Sequence, residues 1–582
     1  MARRFFVSAL LGLFSACCCA QSANAPAEKP EAKVDALFEK MDATVSPGCA
    51  LSVIRDHKII YERGYGMADL DHNITITPTT VFHVASMSKQ FTAASILLLA
   101  AEGKLSVDDP ARKYIPELPD FGTPITIREL LHHTSGLRDQ WDLLGLSGWR
   151  NSHDLITDAD VLYVVSRQRE LNFPPNTQHL YSNTGYTLLA QIVARVSGQS
   201  LRSFTTARIF VPLGMKNTHF RDDFDEIVKN MAYGYRGSGD GYRLGVTNFD
   251  TVGATSLLTT VEDLALWDEN FYTPRVGGPA LIQQMQERGR LADGEQIDYA
   301  AGLVLGKYRG LNTVDHNGGD AGYRSDMIRF PDQHFTVACL CNLSSANPSD
   351  LTRKVAEIYL GSEMQPGMQS AEAASGEDSK GVALTAEQMQ ARVGVYVNVK
   401  DPGDLVRWVI KDAELQVGNV GQDSTYPVKA ISENEFHFLL APVEFTFLPA
   451  KPGAPQQLNI KQPDGKIETF SAVPPFTPTG AELGEYAGIY SSREIDPLYE
   501  LKVEYVHVPG TTPDQDRAWL VLHRLKSDPD VLHPFTRDFF TAGVGKIRFT
   551  RDSKSAITGF LLSTGRVIDL RFERGRPAIA AR

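Results

Sequence analysis

Apolar residues follow two rhythms along this chain. From about residue 34 to 361, strand-like runs alternate with helical ones. From about 384 to 582, short runs rich in β-branched and aromatic residues recur with turn signals between them. In the first stretch, Ala50-Leu-Ser-Val-Ile54 and Lys58-Ile-Ile-Tyr61 flank Asp56-His57, which predicts a hairpin. Phe91 to Ala101 predicts a strongly apolar helix. Leu351 to Leu360 predicts another, stopped by Gly361. Ser362 to Lys380 then loses its large apolar residues, which marks a linker over 362–383.

The second stretch reads as duplicated. Val393-Gly-Val-Tyr396 returns as Ala487-Gly-Ile-Tyr490, and Asp464-Gly-Lys-Ile467 returns as Thr564-Gly-Arg-Val567. Pro474, Pro475 and Pro478 fall in the seam. The pattern predicts two all-β units of barrel or sandwich type, at 384–473 and 480–582.

Composition narrows the class. The 582 residues carry 58 Lys and Arg against 70 Asp and Glu, a formal net charge of −12. A nucleic-acid binder normally shows a basic excess, so no nucleic-acid partner is expected. Residues 1–20 read as a secretory signal peptide. Arg3 and Arg4 precede an apolar run, Phe5 to Ala16, and small residues follow. Cleavage after Ala20 is the first choice, with Ala23-x-Ala25 as the alternative. Phe14-Ser-Ala-Cys17 also resembles a bacterial lipobox with Phe where Leu is usual, which leaves lipid or envelope anchoring open. An exported protein, periplasmic or secreted, is expected. Of six cysteines, Cys17, Cys18 and Cys19 go with the signal, leaving Cys49, Cys339 and Cys341. Cys339 and Cys341 share a strand face and are expected as buried thiols.

Three short patterns carry chemistry. In Ser86-Met-Ser-Lys89, positions i and i+3 of a helix share a face, so Lys89 can reach the Ser86 hydroxyl. A serine needs such a base to become a nucleophile, and burial lowers a lysine pKa enough to supply one. A helix starting near Ser86 would also favour a developing oxyanion. Tyr181-Ser-Asn183 offers a phenol to shuttle a proton and an amide to hold a substrate. Alone, it also reads as a turn whose Asn caps the helix that follows. His316-Asn-Gly318-Gly319 offers a hydrogen bond or a charge beside backbone that a substrate can approach closely. Alone, it reads as a glycine-rich hairpin.

Together and in this order, S-x-x-K, Y-x-N and H-x-G resemble the serine β-lactamase-like hydrolases: class C β-lactamases, DD-carboxypeptidases, D-aminopeptidases and related esterases. Leu130 to Leu137, Ile209 to Met215 and Thr259 to Trp267 resemble further family segments, so the likeness covers about 34–361. It implies an α+β domain, an antiparallel sheet flanked by helices with a helical subdomain. The two β-units that follow resemble the lipocalin-like barrels appended to D-aminopeptidase-type members. It implies that Ser86 is acylated, that Lys89 and Tyr181 share the base and acid work, and that Asn183 holds the substrate amide. It further implies an oxyanion hole from the backbone of Ser86 and Gly319, with His316, Gly318 and Gln140 contacting substrate. The expected substrate is a small peptide, ester or β-lactam, with no cofactor and no metal. The oligomeric state is not legible.

His316 stands where many relatives keep the Lys of K-T-G, which favours aminopeptidase-like and esterase-like chemistry over carboxylate recognition. If charged, it titrates near pH 6.5. Glu170-Leu-Asn172 precedes the tyrosine motif and is rejected as a deacylation motif. His132-His133 reads as loop, not metal site. The alternative function is a penicillin-binding or sensor protein that keeps the pocket without turnover. A barrel loop over the cleft is the expected gate, with Pro509 to Asp516 as its candidate.

Overall fold

The computed structural model describes residues 29–366, apart from 151, 152 and 240. It also describes 381–575, apart from 402, 421–423, 440–442, 450, 463, 464, 475 and 507–516. The expected signal peptide, most of the expected linker and the candidate gate Pro509 to Asp516 therefore lie outside the described residues.

The first domain is built on a six-stranded antiparallel sheet. Its strands are β1 (Cys49–Arg55), β2 (Lys58–Tyr65), β3 (Val304–Tyr308), β4 (Leu311–Asp320), β5 (Tyr323–Phe330) and β6 (Phe335–Cys341), in the order β3-β4-β5-β6-β1-β2. The predicted hairpin joins β1 to β2, with Asp56 and His57 both at positive φ, as a two-residue turn matched to strand twist demands. β1 and β6 are buried along nearly their whole length because both sheet faces are covered, which is why they read as continuous apolar runs.

Helices α1 (Pro30–Phe38) and, late in the chain, α6 (Pro348–Leu360) cover one face. On the other side, α2 (Lys89–Ala101), α3 (Gln140–Leu146) and α4 (Asn183–Ser197) share one apolar cluster with α5 (Val261–Tyr272), which packs directly on β1 and β6. α2 is buried from Lys89 to Leu99, so its apolar character runs all round. α4 ends at Gly198, whose φ of 71° suits the left-handed cap.

Cys49 and Cys341 face each other in the β1–β6 register and form a disulfide across 292 residues. Only Cys339 is a free, buried thiol among the described residues. The expectation of two thiols is corrected: strand pairing, invisible in local sequence, brings Cys49 opposite Cys341.

The remainder forms two closed eight-stranded barrels. One runs from β7 (Gly394–Asn398) to β14 (Ile467–Val473), the other from β15 (Gly488–Ser491) to β22 (Val567–Arg574). Each opens with a one-turn helix under a capping box, at Thr385 and at Thr479. Each then places a buried tyrosine whose hydroxyl donates to the carbonyl four residues back, Tyr396 to Arg392 and Tyr490 to Tyr486. Rings fill both interiors. Trp408 packs against Phe436, Phe445 and Phe447, and Phe549 packs against Phe540 and Phe560.

Candidate active site

Ser86 sits on a 3-10 turn, Ala85–Ser88, that leads directly into α2. The turn is tight. Ala85 has φ of +49°, uncommon for a residue with a side chain. Ser88 fixes it by donating to the Ala85 carbonyl and accepting from Leu257 N. The regular helix begins at Lys89, one turn later than the sequence reading placed it, because the backbone must bend sharply to present Ser86.

Lys89 is completely buried, and its Nζ lies 3.2 Å from Ser86 Oγ. It donates to Asn183 Oδ1 at 2.9 Å and to the Ala254 carbonyl at 2.7 Å. Burial lowers its pKa to about 7. Asp320 and Asp139 oppose that shift and Arg566 adds to it. The segment Gly253 to Ser256 owes its turn to Gly253, φ 98°, where a Cβ would meet the Tyr186 carbonyl at 2.5 Å. This turn is what delivers the Ala254 carbonyl to Lys89.

The Tyr181 hydroxyl is buried and has no hydrogen-bond partner of good geometry among the described residues. Burial pushes it well above the ordinary tyrosine range, with the Ser86 side chain opposing. The phenol is therefore protonated at neutral pH. Asn183 opens α4, and both atoms of its amide have partners. Its Nδ2 donates to Asp139 Oδ2 at 2.9 Å, its backbone N donates to the same oxygen at 2.7 Å, and its Oδ1 takes the lysine. Asp139, absent from the sequence reading, thus anchors Asn183 and through it Lys89. Gln140 is buried on the next position, with both amide atoms unpartnered among the described residues.

His316, Gly318 and Asp320 share one face of β4. A Cβ on Gly318 would lie 2.3 Å from the Val84 carbonyl and 2.9 Å from Ser86 N, so glycine lets β4 pass directly against the nucleophile turn. Gly319 follows it, opposite Arg324. His316 is buried. Its Nδ1 donates to the Asn317 carbonyl at 2.6 Å, which leaves Nε2 to accept from the Tyr299 hydroxyl at 3.0 Å. Burial, with Lys89 nearby, lowers its pKa to about 4. The expectation of titration near pH 6.5 is corrected: His316 is neutral at neutral pH. His133 packs its ring 4.2 Å from that of Tyr181, and its Nδ1 accepts from Ser182 N.

The second barrel completes the cleft. The turn between β21 (Ile557–Thr564) and β22 reaches the site with Gly565 and Arg566. Arg566 N donates to Asp142 Oδ2 at 2.6 Å. Asn172 brackets the turn, donating to the Arg566 carbonyl and accepting from Ile568 N. The Arg566 guanidinium lies 4.9 Å from the centre of the Tyr181 ring. Arg138 and Glu494 form an ion pair across the domain boundary at 2.6 Å, both buried. Among the described residues, this turn is the barrel element that reaches the site. Thr564-Gly-Arg-Val567 had entered the sequence reading only as a repeat marker.

This geometry describes a serine with a buried lysine base, a phenol and a close glycine strand. The chain belongs to the Beta-lactamase family, whose model matches residues 34–360. It is 33% identical over 300 residues to penicillin-binding protein 4* of Bacillus subtilis (strain 168), covering 49% of this chain and 65% of that protein. It is 28% identical over 322 residues to a D-aminopeptidase of Gluconobacter oxydans (strain 621H), covering 54% of this chain and 60% of the relative. The matches therefore span less than two thirds of these relatives' lengths. The octameric penicillin-binding protein homologue from Pyrococcus abyssi shares the fold with a TM-score of 0.53 at 23% identity, over 76% of this chain and all of that one.

Proposed function

We propose that this chain is an exported serine hydrolase that cleaves an amide or ester through an acyl-enzyme on Ser86. The observation that carries the reading is the pair Lys89 Nζ and Ser86 Oγ, 3.2 Å apart, with the lysine pKa near 7. Neutral Lys89 takes the Ser86 proton as Oγ bonds to the substrate carbonyl carbon. The oxyanion is held by the backbone N–H groups of Ser86 and Gly319. As the carbon–nitrogen or carbon–oxygen bond breaks, Tyr181 gives its proton to the leaving atom and regains one through Lys89. Water then releases the acid by the reverse sequence. Asn183 keeps Lys89 in place, while Gln140 offers an unengaged amide to the substrate. Hydrolase and penicillin-binding relatives favour this reading. The Cys49–Cys341 disulfide supports export, because such bonds persist in oxidising compartments.

The test is fluorophosphonate labelling of the full chain together with measured turnover of a panel of amide and ester substrates. Wild type should label on Ser86 and turn over, and Ser86→Ala should do neither. Labelling of Ser86 without turnover of any substrate would instead favour a binding or sensor protein.

A further inference from the structure

A cleft that takes a charged substrate needs a charged receptor, and neither His316 nor Lys89 supplies one. His316 is neutral, held between the Asn317 carbonyl and Tyr299. Lys89 is buried, committed to Asn183, Ala254 and Ser86. Arg566 differs from both. Its backbone is fixed by Asp142 and Asn172, but its side chain is 42% exposed. Its nearest carboxylate oxygen, Asp139 Oδ2, stands 3.6 Å from Nη1, beyond hydrogen-bond length. That oxygen already accepts two hydrogen bonds from Asn183. Asp139 is therefore a loose ion-pair partner, and among the described residues the guanidinium makes no hydrogen bond, which leaves its N–H donors for a ligand.

We infer that Arg566, carried into the cleft by the second barrel, is the receptor for a carboxylate on the leaving group of the substrate. It replaces the cation that the first domain lacks at His316. The inference rests on the acyl-enzyme reading. Tyr181 protonates the leaving atom, and Arg566 stacks on the Tyr181 ring, so an anion paired with Arg566 belongs to the departing half. A guanidinium binds a carboxylate through two parallel hydrogen bonds, which a lysine cannot reproduce.

The test uses the full chain and N-acyl dipeptides in three forms: free carboxyl terminus, carboxamide of the same residue, and the matching amine without either group. A fourth compound carries its carboxylate on the acyl half. Wild type should prefer the free acid over the carboxamide by about 10- to 100-fold in kcat/KM, the range of a charge-assisted hydrogen bond. Arg566→Gln should collapse that ratio to about one, Arg566→Lys should keep part of it, and Arg566→Glu should invert it. Calorimetric binding of the free-acid and carboxamide dipeptides to Ser86→Ala should show the same preference without turnover. A ratio that survives in Arg566→Gln, or a wild type indifferent to the carboxylate, overturns the inference. So does a preference that follows the carboxylate on the acyl half. Fluorophosphonate labelling separates the two levels. Variants that still label Ser86 but leave selectivity unchanged defeat only the Arg566 assignment, whereas a wild type that never labels defeats the acyl-enzyme reading itself.

Discussion

Lys89 and Arg566 stand against the same aromatic ring: Lys89 Nζ lies 4.8 Å and Arg566 Cζ 4.9 Å from the centre of Tyr181. One cation comes from the first helix after the nucleophile, the other from the second barrel. The arginine charge makes the lysine harder to keep protonated.

The first prediction is the pH profile. With its pKa near 7, Lys89 is protonated below that pH and becomes a free amine above it. kcat/KM should therefore rise with pH through a midpoint near 7. His316, titrating near pH 4, should contribute no limb at 6.5. Arg566→Gln removes a neighbour that disfavours the ammonium, so the midpoint should move up. A rate profile of wild type and variant checks both. A fixed midpoint in the variant would separate Arg566 from the base.

Gly318→Ala is expected to be costly despite its size. The added Cβ would overlap the Val84 carbonyl and crowd Ser86 N, both backbone atoms that cannot swing aside. Overpacking of this kind costs about 1–3 kcal/mol. Labelling of Ser86 should fall more than tenfold, and denaturant melts should show the stability loss.

The Arg138–Glu494 pair should behave as a latch. Both side chains are almost wholly buried, and removing one partner strands the other, at about 3–5 kcal/mol. Glu494→Ala should uncouple the second barrel, seen as a split calorimetric transition and new protease cleavage. Arg138→Met combined with Glu494→Leu should restore part of the coupling, because neither charge remains unpaired.

Cys49→Ser should lower stability by about 2–4 kcal/mol, since the disulfide closes a very long loop. Thiol titration of a chain lacking residues 1–20 should find no reactive thiol when native and one when denatured. Cys339 is buried, and burial holds its thiol far above the usual range. A reactive native thiol would mean that the disulfide is absent.

The Ser86–Lys89 pair and the Tyr181–Asn183 pair were legible as candidates because each couples residues a few positions apart, and the fold brings the two pairs together. Barrel duplication was legible in short repeated phrases for the same local reason. The charge of His316 was not, since an isolated imidazole has an ordinary pKa and only burial against Lys89 moves it. Asp139 looked like any acidic residue until the start of α4 folded onto it. Cys49 with Cys341, and Arg566 with Tyr181, depend on which strands and domains meet, and that is written in packing across hundreds of residues.

The turn bearing Arg566 joins the last two strands of the second barrel, whereas Ser86 lies early in the first domain. Domains generally fold as units, the earlier ones first, as a chain emerges. The nucleophile is thus assembled long before its final wall exists. A nascent chain, or one cut short upstream of residue 564, presents an open cleft without the arginine. Discrimination through Arg566 consequently arises only after the hairpin that carries it has closed onto the first domain.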